Sequence, residues 1–143
     1  MKVKRADVLL KIIAAAEGEP LTPAQLQKVA FRVGMECSEY MPVDYYTFRK
    51  YDYGPFSAEI YRDAEQLECD GKITITINAR GGWKEYAATV RGYMTELEDF
   101  PEEVSSFILD KVNWARELSF QELVREVYKM YPAYRENSVF QGW

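Results

Sequence analysis

Between Tyr51 and Tyr61 the chain reads Tyr51-Asp52-Tyr53-Gly54-Pro55-Phe56-Ser57-Ala58-Glu59-Ile60-Tyr61. An aromatic extended segment, a Gly-Pro pair and a serine before helix-forming residues thus follow one another directly. Gly54 permits backbone angles closed to other residues and Pro55 fixes its own φ, so the pair predicts a rigid corner. Ser57 is placed to accept a hydrogen bond from the unpaired amides of the helix that follows. Strand, corner and capped helix in that order define one junction of a fold.

Periodicity supplies the elements around it. Val8, Leu9, Ile12 and Ile13 recur at helical spacing and predict a first helix over residues 6–16, which Gly18 and Pro20 end. Thr22 and Gln25 form a capping box, Pro23 takes the first helical position and Leu21 can staple against Leu26, so a second helix starts at Thr22. From Cys37 to Tyr53, Pro42 interrupts and aromatic residues crowd together. Thr47, Phe48, Tyr51 and Tyr53 suit an extended strand, which gives a loop leading into a strand. A third helix is expected from Ser57 to Cys69, with Ile60, Ala64 and Leu67 on its apolar stripe and Gly71 ending it in a left-handed conformation. Ile73, Ile75 and Ile77 then alternate with threonines, residues 78–82 contain a turn, and Tyr86, Ala88 and Val90 can carry the returning strand.

Beyond Pro101, Val104, Phe107, Ile108, Val112 and Ala115 mark a fourth helix, and Glu102 and Glu103 lie favourably near its N-terminus. Ser119 and Glu122 form a second capping box that opens a fifth helix, with Leu118 and Leu123 as its staple and Pro132 after its end. The expected architecture is α+β: a winged-helix-like core of three helices and a small antiparallel hairpin, followed by two C-terminal helices. With 143 residues, 48% of them apolar, the chain has material for one core, so residues 1–143 are expected to form a single domain.

The Tyr-Gly-Pro-Phe-Ser run at Tyr53, Gly54, Pro55, Phe56 and Ser57 resembles the signature of the Panacea antitoxin domain, also called SocA-like, a family of bacterial and phage-associated proteins. Three further stretches agree in order: Leu21 to Lys28 at a helix start, Leu67 to Ile73 running from helix into strand, and Leu123 to Tyr128 in a late helix ending near Tyr131 and Pro132. The resemblance is close over residues 21–90 and looser over the last forty. It implies a small helical domain with a winged-helix-like centre, and a role in neutralising a toxin encoded beside it.

Charge bears on the partner. The net charge is −5, whereas a DNA-binding module usually carries a basic face that displaces counterions from phosphates. Between Ser57 and Asp70, Glu59, Asp63, Glu65, Glu68 and Asp70 face a single cation, Arg62. Nucleic acid is therefore disfavoured as a partner of the third helix. A minority reading keeps it: Lys72, Arg80, Lys84 and Arg91 make the hairpin a basic wing, and Lys2, Lys4, Arg5 and Lys11 form a second basic group. The long aromatic segment between the second and third helices departs from the turn of ~3–4 residues that joins the helices of a helix-turn-helix reader.

Catalysis finds little support, since the chain has no histidine and no phosphate-loop, nucleophile-elbow or metalloprotease motif. No cofactor or metal is expected. Cys37 and Cys69 stand far apart and read as buried free thiols. No apolar run approaches a membrane span and no signal peptide is evident, which makes the cytoplasm the expected location.

The sequence thus predicts a non-catalytic protein-interaction domain, antitoxin-like, that masks a protein partner by direct binding. Its alternative is a winged-helix regulator contacting DNA through the basic wing, alone or as a homodimer. Glu59, Asp63 and Glu65 would steer a basic partner, and Tyr45, Tyr46, Tyr51 and Tyr61 would anchor it, against the competing reading of the same aromatics as core. The apolar tail from Ser138 to Trp143 either docks across its own domain or presents Phe140 and Trp143 to another protein.

Overall fold

A computed structural model of the protein describes residues 3–143. The chain forms α1 (Arg5–Ala14), α2 (Pro23–Glu36), the hairpin β1 (Arg49–Tyr51) and β2 (Gly54–Phe56), α3 (Glu59–Cys69), the hairpin β3 (Ile73–Ile77) and β4 (Lys84–Ala88), the short α4 (Val90–Tyr93), α5 (Glu102–Arg116) and α6 (Phe120–Met130). Single turns of 3₁₀ helix at Ser38–Tyr40 and Pro132–Arg135 follow α2 and α6. The fold is α+β, with the two long C-terminal helices expected from sequence.

Both capping boxes form as their spacing predicts. Thr22 Oγ1 accepts from the Gln25 amide while Gln25 Oε1 accepts from the Thr22 amide, and Ser119 and Glu122 repeat the arrangement at α6. α1 is the central rod: Val8, Leu9, Ile12 and Ile13 are fully buried, with α2, α3, α5 and β4 packed around it. Ile60, Ala64 and Leu67 of α3 and Val104, Ile108, Val112 and Ala115 of α5 complete this core. Phe107, from the same predicted stripe, packs only partly buried at its edge.

Leu21 bridges Tyr86 of β4 through backbone hydrogen bonds of 2.8 and 3.0 Å. This adds a one-residue strand, from between α1 and α2, to the β3–β4 hairpin, so the centre is winged-helix-like, helix, short strand, helix, helix and hairpin, with the β1–β2 hairpin inserted between α2 and α3.

Several details differ from the sequence reading. The Gly-Pro pair is not a corner but the start of β2: Tyr51 pairs with Gly54, Lys50 with Pro55 and Arg49 with Phe56, with Asp52 and Tyr53 in the turn. Gly54 takes φ +107°, closed to other residues, and Pro55 is tolerated because a two-stranded hairpin is all edge. Ser57 does not cap α3. The N-cap position is Ala58, without a side-chain cap. Ser57 is held instead by the buried Gln27 side chain, whose Nε2 donates to the Ser57 carbonyl at 2.8 Å and whose Oε1 accepts from its amide at 2.9 Å. β1 is limited to Arg49–Tyr51, so Thr47, Phe48 and Tyr53 lie outside it. Val90 leaves β4 to open α4, where the Thr89 side chain accepts from the Gly92 amide. Cys37 is buried, but Cys69 is exposed at the end of α3; both are free. Gly71 follows with φ +75°, as the sequence implies.

The tail docks on its own domain. Val139 donates to the Asp52 carbonyl at 2.9 Å, Arg125 Nη1 donates to the Gly142 carbonyl at 2.8 Å, and Phe140 is buried against Val124 and Tyr128 in a second, smaller apolar cluster.

Candidate functional site

The residues singled out from sequence fall into two groups on different sides of α3. On the first side, Arg5 of α1 reaches Asp63 Oδ2 and Glu59 Oε2 of α3, both at 3.0 Å. The Tyr46 hydroxyl donates to the same Asp63 oxygen, and the Arg5 guanidinium lies over the Tyr46 ring. Burial works against the Arg5 charge, but the two carboxylates outweigh it and hold its pKa above the ordinary value. Tyr46 is 5% exposed, and Tyr45 lies across Gly34 with its hydroxyl donating to the Ala30 carbonyl. Burial pushes both phenols well above their usual range, Tyr46 further through its bond to Asp63. Glu59, Asp63, Tyr45 and Tyr46 are thus joined in an internal network tying α1, the aromatic loop and α3 together.

On the second side, Tyr51, Tyr53, Phe56 and Tyr61 gather with Phe120 at the start of α6 and Trp83 before β4. Tyr51 stacks on Phe56 at 4.9 Å between ring centroids, Phe56 leans on Tyr61 at 5.9 Å, and Tyr53 meets Phe120 edge-on at 5.2 Å. Tyr51, Tyr53, Trp83 and Phe120 each leave 44–51% of their surface exposed. Three adjoining concavities share Pro23 as a common wall. One of about 220 Å³ is lined by Lys28, Tyr51, Tyr53, Phe56, Tyr61 and Phe120. A second of about 520 Å³ lies between Trp83, Leu118 and Phe120, and a third of about 290 Å³ between Tyr61, Glu65, Ile75, Trp83 and Lys84. Together they form a furrowed apolar face around the start of α2, with Glu65 and Lys84 at one edge.

Lys28, on the second turn of α2, opens into the smallest of these hollows and is only 5% exposed. Burial lowers its pKa to about 8. It lies against Gly54: a Cβ at residue 54 would stand in ordinary contact, 3.6 Å from Lys28 Cε and 3.5 Å from Tyr128 Cε1, so it is the φ of +107° rather than crowding that calls for glycine there.

Phe120, Trp83, Pro23 and Lys28 were not among the candidates from sequence. The signal for Phe120 was its place just inside a capping box, where an apolar residue facing solvent has no structural need to be aromatic. Trp83, in a turn otherwise made of small and polar residues, offered a similar hint.

On the wing, Arg80 stands at the turn, Lys84 opens β4 and Arg91 lies on α4; all three are exposed, and Lys72 is half-buried. None of these four pairs with a carboxylate among the described residues. The second basic group is weaker than its sequence suggests. Arg5 is occupied by α3, Lys11 lies over the Phe100 ring, and Lys2 falls outside the described residues.

Among the described residues no cluster of potential metal ligands occurs, and no helix is long and apolar enough to cross a membrane. Comparisons with protein families, curated proteins and solved structures returned no match to the chain.

Proposed function

We propose that this protein is an antitoxin-like interaction domain of the Panacea, or SocA-like, kind, which masks a protein partner by direct binding and performs no chemistry of its own. The observation that carries this reading is the aromatic face around Pro23. Four large aromatic side chains stand half-exposed beside concave apolar hollows, the composition and relief of interface hot spots. Tyrosine and tryptophan there supply large contact area at small cost in side-chain entropy. The face rests on a capped helix start and a hairpin fastened by Gln27, so little of it needs ordering when a partner arrives.

The test pairs Tyr51→Ala with Phe120→Ala. Loss of two central aromatic anchors is expected to weaken partner affinity at least thirtyfold, about 2 kcal/mol. The affinity is measured by calorimetry against the product of the neighbouring gene, with rescue from growth arrest as the cellular readout. Unchanged affinity in a variant that melts like the parent would remove this face from the interaction.

A second reading rests on the unpaired cations of the wing, Arg80, Lys84 and Arg91, which can meet a phosphate backbone. It requires DNA affinity that falls steeply with salt, with Arg80→Ala and Lys84→Ala each flattening the slope. A parent protein whose affinity ignores salt would dismiss it.

A further inference from the structure

Lys28 carries a charge that the chain leaves unanswered. Its side chain is 5% exposed, and among the described residues it has no hydrogen bond, ion pair or ring contact. A buried ammonium normally survives only when paired, because the protein interior replaces little of its lost hydration. No acidic residue lines the hollow that it faces. The other titratable walls are Tyr51, Tyr53 and Tyr61, and burial alone accounts for the lowered basicity of Lys28.

Behind Lys28, the Tyr128 ring approaches the same face of Gly54 as the lysine Nζ, at 3.5 and 3.7 Å from the position a Cβ would take, with its own hydroxyl turned towards Ser138 and not into the hollow. Gln27, also on the wall, spends its carbonyl and one of its two Nε2 hydrogens on Ser57, and its amide also faces the Tyr61 hydroxyl, so it adds no charge to the hollow. The hollow therefore presents, between aromatic walls, an unpaired cation whose ammonium keeps some access to solvent.

We infer that this hollow receives a carboxylate borne on an apolar group of side-chain size, supplied by an acidic or chain-terminal residue of the partner. The Lys28 ammonium takes the carboxylate, and Tyr51, Phe56 and Tyr61 pack against the apolar part. The inference rests on the reading of this face as a protein-binding surface. Size points to a residue: about 220 Å³ is below the roughly 300–1,000 Å³ of ordinary small-molecule pockets. Charge points to a carboxylate, because a phosphate draws several donors and a single ammonium opens here.

The probe is phenylacetate, with neutral phenylacetamide as its control, titrated into protein carrying ¹³C-labelled lysine and followed at the Lys28 side-chain resonance. Phenylacetate is expected to shift that resonance saturably in the millimolar range, and phenylacetamide to bind at least tenfold more weakly. Lys28→Met, which exchanges an unpaired charge for an apolar chain of like length, is expected to lose at least tenfold in phenylacetate affinity, read in variant and parent alike at the ring resonances of Tyr51 and Tyr61, since the variant has no Lys28 signal. Should that variant fail to melt cooperatively, Lys28→Gln replaces it, and the acid-against-amide contrast needs no variant at all. Equal binding of acid and amide, or no saturable shift at Lys28, overturns the inference. The partner separates the two readings: one that requires Tyr51 and Phe120 yet binds Lys28→Met as tightly as the parent leaves masking intact and overturns the carboxylate site. If phenylacetate binds through Lys28 while the partner ignores all three residues, the carboxylate chemistry stands and its assignment to the partner is overturned, along with the masking face.

Discussion

An ammonium removed from water without a counter-charge opposes folding, and Lys28 is in that position. Its pKa falls from 10.5 to about 8 on burial, so between those values the unfolded chain holds a proton that the folded chain has released. Stability contributed by this residue is thus present above pH 10.5 and lost as pH falls through 8, a difference on the order of 3 kcal/mol. Tyrosines limit the window from above. Tyr86 and Tyr131, each pushed up to about 12 chiefly by burial, lose their contribution as pH rises beyond 10. Thermal stability is therefore expected to rise from pH 8 towards 10 in the parent protein. Lys28→Met should abolish that rise and gain about 1–3 kcal/mol at pH 7, read from chemical denaturation at both pH values. An unchanged midpoint would mean that Lys28 is hydrated after all. Nothing local marks this lysine: in sequence it is one polar residue beside Gln27 in an amphipathic helix. Its burial comes from the β1–β2 hairpin laid across α2, a contact between residues more than twenty positions apart. The Thr22 capping box was legible because its partner stands three residues away.

Elements behave in the same way as residues. α1, α2, α5 and α6 follow from apolar spacing and caps, since each helix encodes its own buried stripe. The tie between α1 and α3 does not. Glu59 and Asp63 belong to an acidic run that reads as a solvated, partner-steering face, yet Arg5, more than fifty residues earlier, folds onto both. Asp63→Ala would leave the Arg5 guanidinium and the Tyr46 hydroxyl without their shared acceptor, Arg5 keeping its hydrogen bonds to Glu59 and to the Asp44 carbonyl and its place over the Tyr46 ring. The expected cost is about 2 kcal/mol of folding stability, measured by urea denaturation, with partner affinity unaltered once folding is allowed for. A selective loss of affinity at full stability would instead return Asp63 to the binding surface. The Gly54-Pro55 pair teaches the complementary lesson. Positive φ at glycine and fixed φ at proline were readable, but whether they make a corner or an edge strand depends on what pairs with them, and Arg49 to Tyr51 were available.

At the scale of the molecule, the apolar character of the C-terminal segment announces that it docks, but not where. Residues 138–143 reach back to the turn of the β1–β2 hairpin, where the Asp52 carbonyl accepts from both Val139 N and Ser138 Oγ. Lys50 pairs with Glu136 at 2.7 Å, and the Arg135 guanidinium lies 3.7 Å from the centre of the Trp143 ring. Phe140 thereby covers Val124 and Tyr128, the side of α6 that the main core does not reach. The hairpin is thus held from both directions, by Gln27 of α2 at Ser57 and by the tail at Asp52. Because the same hairpin carries Tyr51 and Tyr53, the tail supports the aromatic face without lying on it. Removing residues 138–143 should therefore cost about 3 kcal/mol, near the low end for losing a buried phenylalanine, and should speed amide exchange in α6 and in β1 and β2. Partner affinity should fall only as far as the hairpin loosens, whereas Phe140→Ala, which keeps the Asp52 hydrogen bonds, should reproduce most of the stability loss with little change in exchange at β1. If truncation and Phe140→Ala loosen the hairpin equally, the aromatic face is steadied by the apolar cluster beneath it rather than by the backbone clasp at Asp52.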